Sequence, residues 1–156
     1  MPFPNDNLIC RPFLTDLKPP VAALKIYDNS ILADDKTQRL FGPYSQNNGR
    51  NDCADAFRHA YFNLLNTRRV GEEITRKFAE AHECDSPSAK ESEMDFHNNE
   101  IGIELALQNP SMNDLELTEI ILDMLFNGDL RIISNLNEYN GVTIFSQVIS
   151  SESCTD

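Results

Sequence analysis

Tryptophan is absent from the 156 residues, glycine occurs only six times, and basic side chains are scarce, with 13 Lys and Arg against 25 Asp and Glu. The net charge of −12 matches phosphate backbones and anionic lipid heads poorly, so nucleic acid is not an expected partner. No run approaches the roughly 18 consecutive apolar residues that a membrane-spanning helix needs, so no transmembrane segment is expected. The opening Met1-Pro2-Phe3-Pro4 lacks the basic and apolar regions of a secretory signal. Localisation therefore stays open between the cytoplasm and export without a visible signal peptide. There is no glycine-rich phosphate loop, no H-E-x-x-H pair, no calcium-binding helix-loop motif and no G-x-S-x-G elbow, which removes the familiar nucleotide, metalloprotease and esterase signatures. Cys10, Cys53, Cys84 and Cys154 form no C-x-x-C pair, which argues against a zinc knuckle or a thioredoxin-like centre. Free thiols are the simpler reading, and an oxidising compartment would allow three pairings.

With 40% apolar and 24% charged residues, what is present is the composition of one globular domain with one sizeable core. Pro2, Pro4, Pro12, Pro19 and Pro20 predict an irregular N-terminal arm over residues 1–50, with short helices at 21–27 and 34–41. A helical core domain follows over 51–149. Apolar residues at helical spacing predict four principal helices near 52–68, 72–84, 88–108 and 114–126, making the domain mainly α. Two β-branched runs, 130–133 and 142–145, flank a turn at 137–141 and suggest a short hairpin. The tail 150–156 is expected to fray.

Chemistry concentrates on two of these helices. Asp55, His59, Asn63 and Asn66 form a polar stripe distinct from the apolar face of Phe57, Tyr61 and Leu64. Asp55 and His59 stand one turn apart, close enough for the carboxylate to orient the ring or for both to share a metal. Further on, Asp95, Asn99, Gly102 and Ala106 run between two apolar stripes, Met94, Ile101, Leu105 and Phe96, Ile103, Leu107. A helix apolar on both flanks buries the strip between, so Asp95, Asn98 and Asn99 require partners. Arg58, His59, His82 or a cation are the candidates. On its own helix His82 borders the apolar arc while Glu83 points more outward, which makes His82 the better site residue. His97 lies on a glutamate stripe and reads as a surface group.

The run Asp55-Ala56-Phe57-Arg58-His59-Ala60-Tyr61-Phe62-Asn63, then Ala81-His82-Glu83, then Met94-Asp95-Phe96-His97-Asn98-Asn99 with Gly102, resembles a family of uncharacterised helical bacterial domains. Such domains occur alone and at the ends of larger secreted or toxin-like proteins. The resemblance covers about residues 51–131 and brings no activity with it. It implies a bacterial or bacterium-derived protein and marks Asp55, Arg58, His59, Asn63, His82, Glu83, Asp95, Asn98, Asn99 and Gly102. A weaker similarity to small helical phospholipases lacks the aspartate directly after the histidine and the upstream calcium loop.

Two functions compete on these grounds. One is a small hydrolase of unknown substrate with Asp55, His59, His82 and Asp95 as catalytic groups, His59 being a general base oriented by Asp55. Those four side chains are also the candidate ligands of a divalent cation, with Arg58, Asn63, Asn98 and Asn99 binding the small-molecule substrate. The alternative is a non-enzymatic domain that binds a protein partner, or an accessory domain whose polar groups form a buried structural network.

Overall fold

In a computed structural model, residues 20–45, 48–84 and 88–154 are described. They form helices α1 (Pro20–Phe41), α2 (Cys53–Val70), α3 (Glu72–Cys84), α4 (Ala89–Gln108) and α5 (Asp114–Phe126). Strands β1 (Arg131–Ser134) and β2 (Gln147–Ser150) and a short 3-10 turn, Ser151–Ser153, complete the order. The architecture is mainly α with one small antiparallel sheet. The proline-rich stretch 1–19, the break at 85–87 and residues 155–156 lie outside the described residues.

α2 is the central element because three of its sides carry different chemistry. Phe57 and Leu64 are fully buried and meet Leu117, Ile121 and Leu125 of α5 in one cluster with Leu130. Each such side chain contributes about 1.5 to 3 kcal/mol by leaving water. A second side meets α4 so closely that a Cβ on Gly102 would lie 1.9 Å from the carbonyl oxygen of Ala60. The third side is covered by α1, where the Asn29 amide donates to Asn66 Oδ1 at 2.7 Å and Arg69 donates to Asn29 Oδ1 at 2.8 Å.

That last contact explains a departure from expectation. Two short helices were expected at 21–27 and 34–41, yet α1 is one continuous helix through 28–33. Asn29 is fully buried, and its amide partners come from α2, so tertiary bonding overrides its weak helix propensity.

The helix boundaries follow local rules. The Asp52 carboxylate caps α2 by accepting from the Asp55 amide at 3.0 Å, Ser88 caps α4, and Asn113 with Glu116 forms a reciprocal capping box on α5.

At the C-terminus the hairpin exists with another second strand. β1 pairs with β2 in the register Ile132↔Ile149 and Ile133↔Val148, whereas Ile144 and Phe145 are exposed in the connection. Asn137 organises the expected turn, accepting from the Tyr139 and Gly141 amides. Lys90 then donates to the Ser146 carbonyl at 2.6 Å, and strand pairing resumes only after it. The segment expected to fray is tied down through residue 154. Ser151 is fully buried and its hydroxyl donates to the Leu125 carbonyl. Cys154 forms a disulfide with Cys53, which replaces free thiols at those two positions.

Candidate functional site

Asn51 prepares the site from the loop before α2. It is buried at φ 60°, a left-handed conformation that asparagine tolerates better than most residues. Its amide N–H donates to Asp55 Oδ2 at 2.6 Å, and its side-chain amide donates to Glu91 Oε1 at 2.7 Å. Arg50 donates to the same glutamate oxygen at 2.9 Å. The stretch Ser45-Gln46-Asn47-Asn48-Gly49-Arg50-Asn51-Asp52 is polar and rich in turn-forming residues, but the individual roles of Arg50, Asn51 and Glu91 were not legible in it. The only sequence signal was their place beside the Asp55 helix start and the Ser88 cap.

The α2 stripe then meets the α4 strip. Asn63 donates to Asn99 Oδ1 at 2.7 Å and to the His59 carbonyl at 3.0 Å. Because Asn99 Oδ1 accepts from Asn63, it also accepts from His59 Nδ1, 3.0 Å away. His59 is thereby held with its proton on Nδ1, which leaves Nε2 facing the carboxylates. Nε2 stands 3.3 Å from Asp95 Oδ1 and 3.6 Å from Asp55 Oδ1. The first contact is not aligned as a hydrogen bond, and Asp95 Oδ1, although buried, has no hydrogen-bond partner among the described residues. Ligand atoms of Asp55, His59 and Asp95 all lie within 4.8 Å of one another.

The geometry departs from the sequence reading in four places. Asp55 does not orient His59 from the far nitrogen; Asn99 does, and Asp55 shares the Nε2 side with Asp95. Glu83 is the buried member of the His82-Glu83 pair and His82 is exposed, because α3 turns Glu83 toward Asp95 and Asn99. His82 stacks on Phe78 with centroids 6.3 Å apart and stays outside the three-residue cluster. Asn98 is fully buried, but it accepts from the Arg131 N–H and donates to the Arg131 carbonyl, both at 2.9 Å. These two bonds pin β1 to α4. The second apolar stripe of α4 is also only partly buried, with Phe96 and Leu107 exposed. His97 bonds the Asp129 carbonyl at 2.7 Å and stays out of the site.

Electrostatics follow from burial and from the opposing charges. Burial favours neutral His59, but the Asp95 and Asp55 carboxylates outweigh it and raise the imidazole pKa above its ordinary value. Burial holds the Asp95 carboxyl above the usual carboxylate range, against the lowering effect of His59. Glu83 is raised still further, by burial first and then by the negative charge of Asp95. Arg58 forms an ion pair with Asp55 Oδ1 and also lies 3.7 Å from Asp34 and over the Tyr44 ring.

The cluster opens on a polar cleft of about 350 Å³ whose walls include Arg50, Asn51, Arg58 and Glu91. Arg58 and His59 also line a second cleft of about 210 Å³, formed with Ala33, Phe62, Phe78 and His82.

The family described as "Domain of unknown function (DUF6973)" matches residues 14–129. The chain belongs to this family. Its span contains every member of the Asp55, His59, Asp95, Glu83 and Asn99 group. No curated protein and no solved structure matches the chain.

Proposed function

We propose that this DUF6973 domain is a divalent-cation-dependent hydrolase whose cation is held by Asp55, His59 and Asp95. The observation that carries the reading is the arrangement at His59 Nε2. Its opposite nitrogen is engaged by Asn99, and it stands 3.3 and 3.6 Å from two carboxylate oxygens without bonding either. Ligands at about 2.1 Å from a tetrahedral ion lie roughly 3.4 Å from one another, so these separations suit atoms arranged around a common point. A metal-binding imidazole ordinarily donates its other N–H to an oxygen acceptor, and Asn99 supplies that acceptor.

Three protein ligands leave a position for water, and a bound zinc ion would bring the pKa of that water to about 7. One imidazole with two carboxylates suits zinc or manganese better than a thiol-seeking ion. Arg58 would neutralise negative charge developing on a substrate oxygen. With a cation on Asp55 it retains Asp34 and the Tyr44 ring as resting partners. The Glu83 carboxyl, raised by burial and by the charge of Asp95, would be the group to supply the proton that a leaving group takes up.

Charge balance favours one competing reading. Arg58 and an imidazolium at His59 together neutralise Asp55 and Asp95, which supports a purely structural network. Titration of EDTA-treated protein with Zn2+ or Mn2+, followed by calorimetry and thermal unfolding, separates the two. The hydrolase reading expects one ion per chain, a higher melting temperature, and cation-dependent turnover within a panel of chromogenic carboxyl and phosphate esters. His59→Ala and Asp95→Asn should abolish all three. Absence of cation binding, with His59→Ala merely destabilising the fold by about 1 to 3 kcal/mol, would leave the structural network.

A further inference from the structure

Arg58 and His59 belong to the walls of both the polar and the apolar cleft. On one side lie Arg50, Asn51, Asp55, Glu91 and Asp95. On the other, α1 contributes Ser30, Ala33 and Asp34, α2 contributes Phe62, and α3 contributes Phe78 and His82. Phe62 and Phe78 meet edge to face with centroids 5.9 Å apart, an arrangement that fixes the shape of the apolar wall. A group lying in this second cleft would hold its polar end against Arg58 and the Asp55, His59 and Asp95 cluster.

We infer that the substrate is a carboxylic ester or amide bearing an apolar substituent, which occupies the cleft between α1, α2 and α3 while its carbonyl lies beside Arg58 and His59. The size of the substituent follows from the space. A cavity of about 150 Å³ accepts benzene, so 210 Å³ accepts a phenylalkyl group or a chain of about six to eight carbons. In the reaction, water adds at the carbonyl carbon and the C–O or C–N bond breaks. The acyl fragment keeps the hydroxyl and the leaving oxygen or nitrogen takes the proton. No oxidant or further reactant is needed. The reaction rests on the hydrolase reading, whereas the occupancy of the cleft does not.

The test measures binding separately from turnover. N-methyl alkanamides of increasing length, from acetamide to dodecanamide, are titrated in EDTA against the Phe62 and Phe78 ring signals by NMR. A second arm uses N-methyl-3-phenylpropanamide. Affinity should rise by about fourfold per methylene up to the length that fills the cleft, and then level off. Ser30→Phe, at the partly exposed α1 edge of the cleft, should abolish the gain with chain length while leaving cation binding intact. Phe78→Ala should move the plateau to longer chains. Tighter binding of the phenyl arm would point to aromatic peptide side chains as the natural occupant, and tighter binding of the linear arm to acyl chains. An affinity that does not change with length, or a Ser30→Phe protein that binds the series as the parent does, would overturn the inference. Failure of the hydrolase reading would look different, with an intact length dependence and no turnover of the matching ester in Zn2+ or Mn2+.

Discussion

At the scale of single residues, Asn99 illustrates how an uncharged group decides what a charged one does. Its Oδ1 collects bonds from Asn63 and His59, and this fixes which imidazole nitrogen faces Asp55 and Asp95. On the proposed cation reading, Asn99→Ala should weaken cation binding by about ten- to a hundredfold, the usual effect of losing a partner behind a metal ligand. Calorimetric titration with Zn2+ checks this, and Asn99→Asp, which keeps the accepting oxygen, should restore much of the affinity. A second residue-scale expectation concerns acid. Burial pushes Asp114 upward, but the Tyr61 hydroxyl and the Lys36 ammonium outweigh it, so the folded pKa lies below the ordinary value. A depressed carboxylate stabilises the fold above its unfolded pKa, and this stabilisation disappears as pH falls through the folded pKa. Asp114→Asn should flatten that acid-side decline. The difference should stay under about 1 kcal/mol because the Lys36 pair is solvent-screened, and urea midpoints measured from pH 6 downward would reveal it.

At the scale of elements, the separation of α2 and α4 sets the geometry of the cluster, since Asp55 and His59 come from one helix and Asp95 and Asn99 from the other. Gly102 permits that separation. A methyl group there would be driven into the Ala60 backbone, and the backbone of a packed helix cannot rotate away as a side chain can. Gly102→Ala should thus destabilise the protein by about 1 to 3 kcal/mol. It should also weaken cation binding, because Asp95 moves away from His59. A melting curve paired with Zn2+ titration distinguishes this from a stability effect alone. The α1–α2 clamp acts similarly but farther from the chemistry. Asn29→Ala leaves Asn66 and Arg69 without their partner and should lower stability by roughly 1 to 3 kcal/mol, with cation affinity unchanged.

At the scale of the whole molecule, the Cys53–Cys154 bridge joins the start of α2 to the end of the described chain across 101 residues. Cys53 precedes Asp55 by two positions, so the bridge anchors the helix end that carries the site. A loop of about this length confers roughly 4 to 5 kcal/mol in the chain-entropy description. Cys53→Ser with Cys154→Ser should lower the urea midpoint accordingly. In the parent protein, mass measurement should show these two thiols alkylated only after reduction. Among the described residues no helix is long and apolar enough to cross a membrane.

The periodicity of apolar residues was enough to locate α2, α3, α4 and α5, because helical spacing and capping residues are local properties that survive in the bare sequence. It also set Asp55 and His59 on one polar stripe of their helix and put Asp95 and Asn99 on a strip between two apolar faces of another. The continuity of α1 was not legible, since Asn29 is a helix breaker until Asn66 and Arg69 answer it from another helix. Nor were the true position of β2, the pairing of Cys53 with Cys154, or the inward turn of Glu83 in place of His82. A helical wheel orders residues around one axis, but the rotation of α3 against α2 and α4 follows from packing among elements distant in sequence. The same packing turned a His/Asp pair on one helix into a three-sided cluster, by letting α4 approach the Ala60 carbonyl at a position that has no side chain.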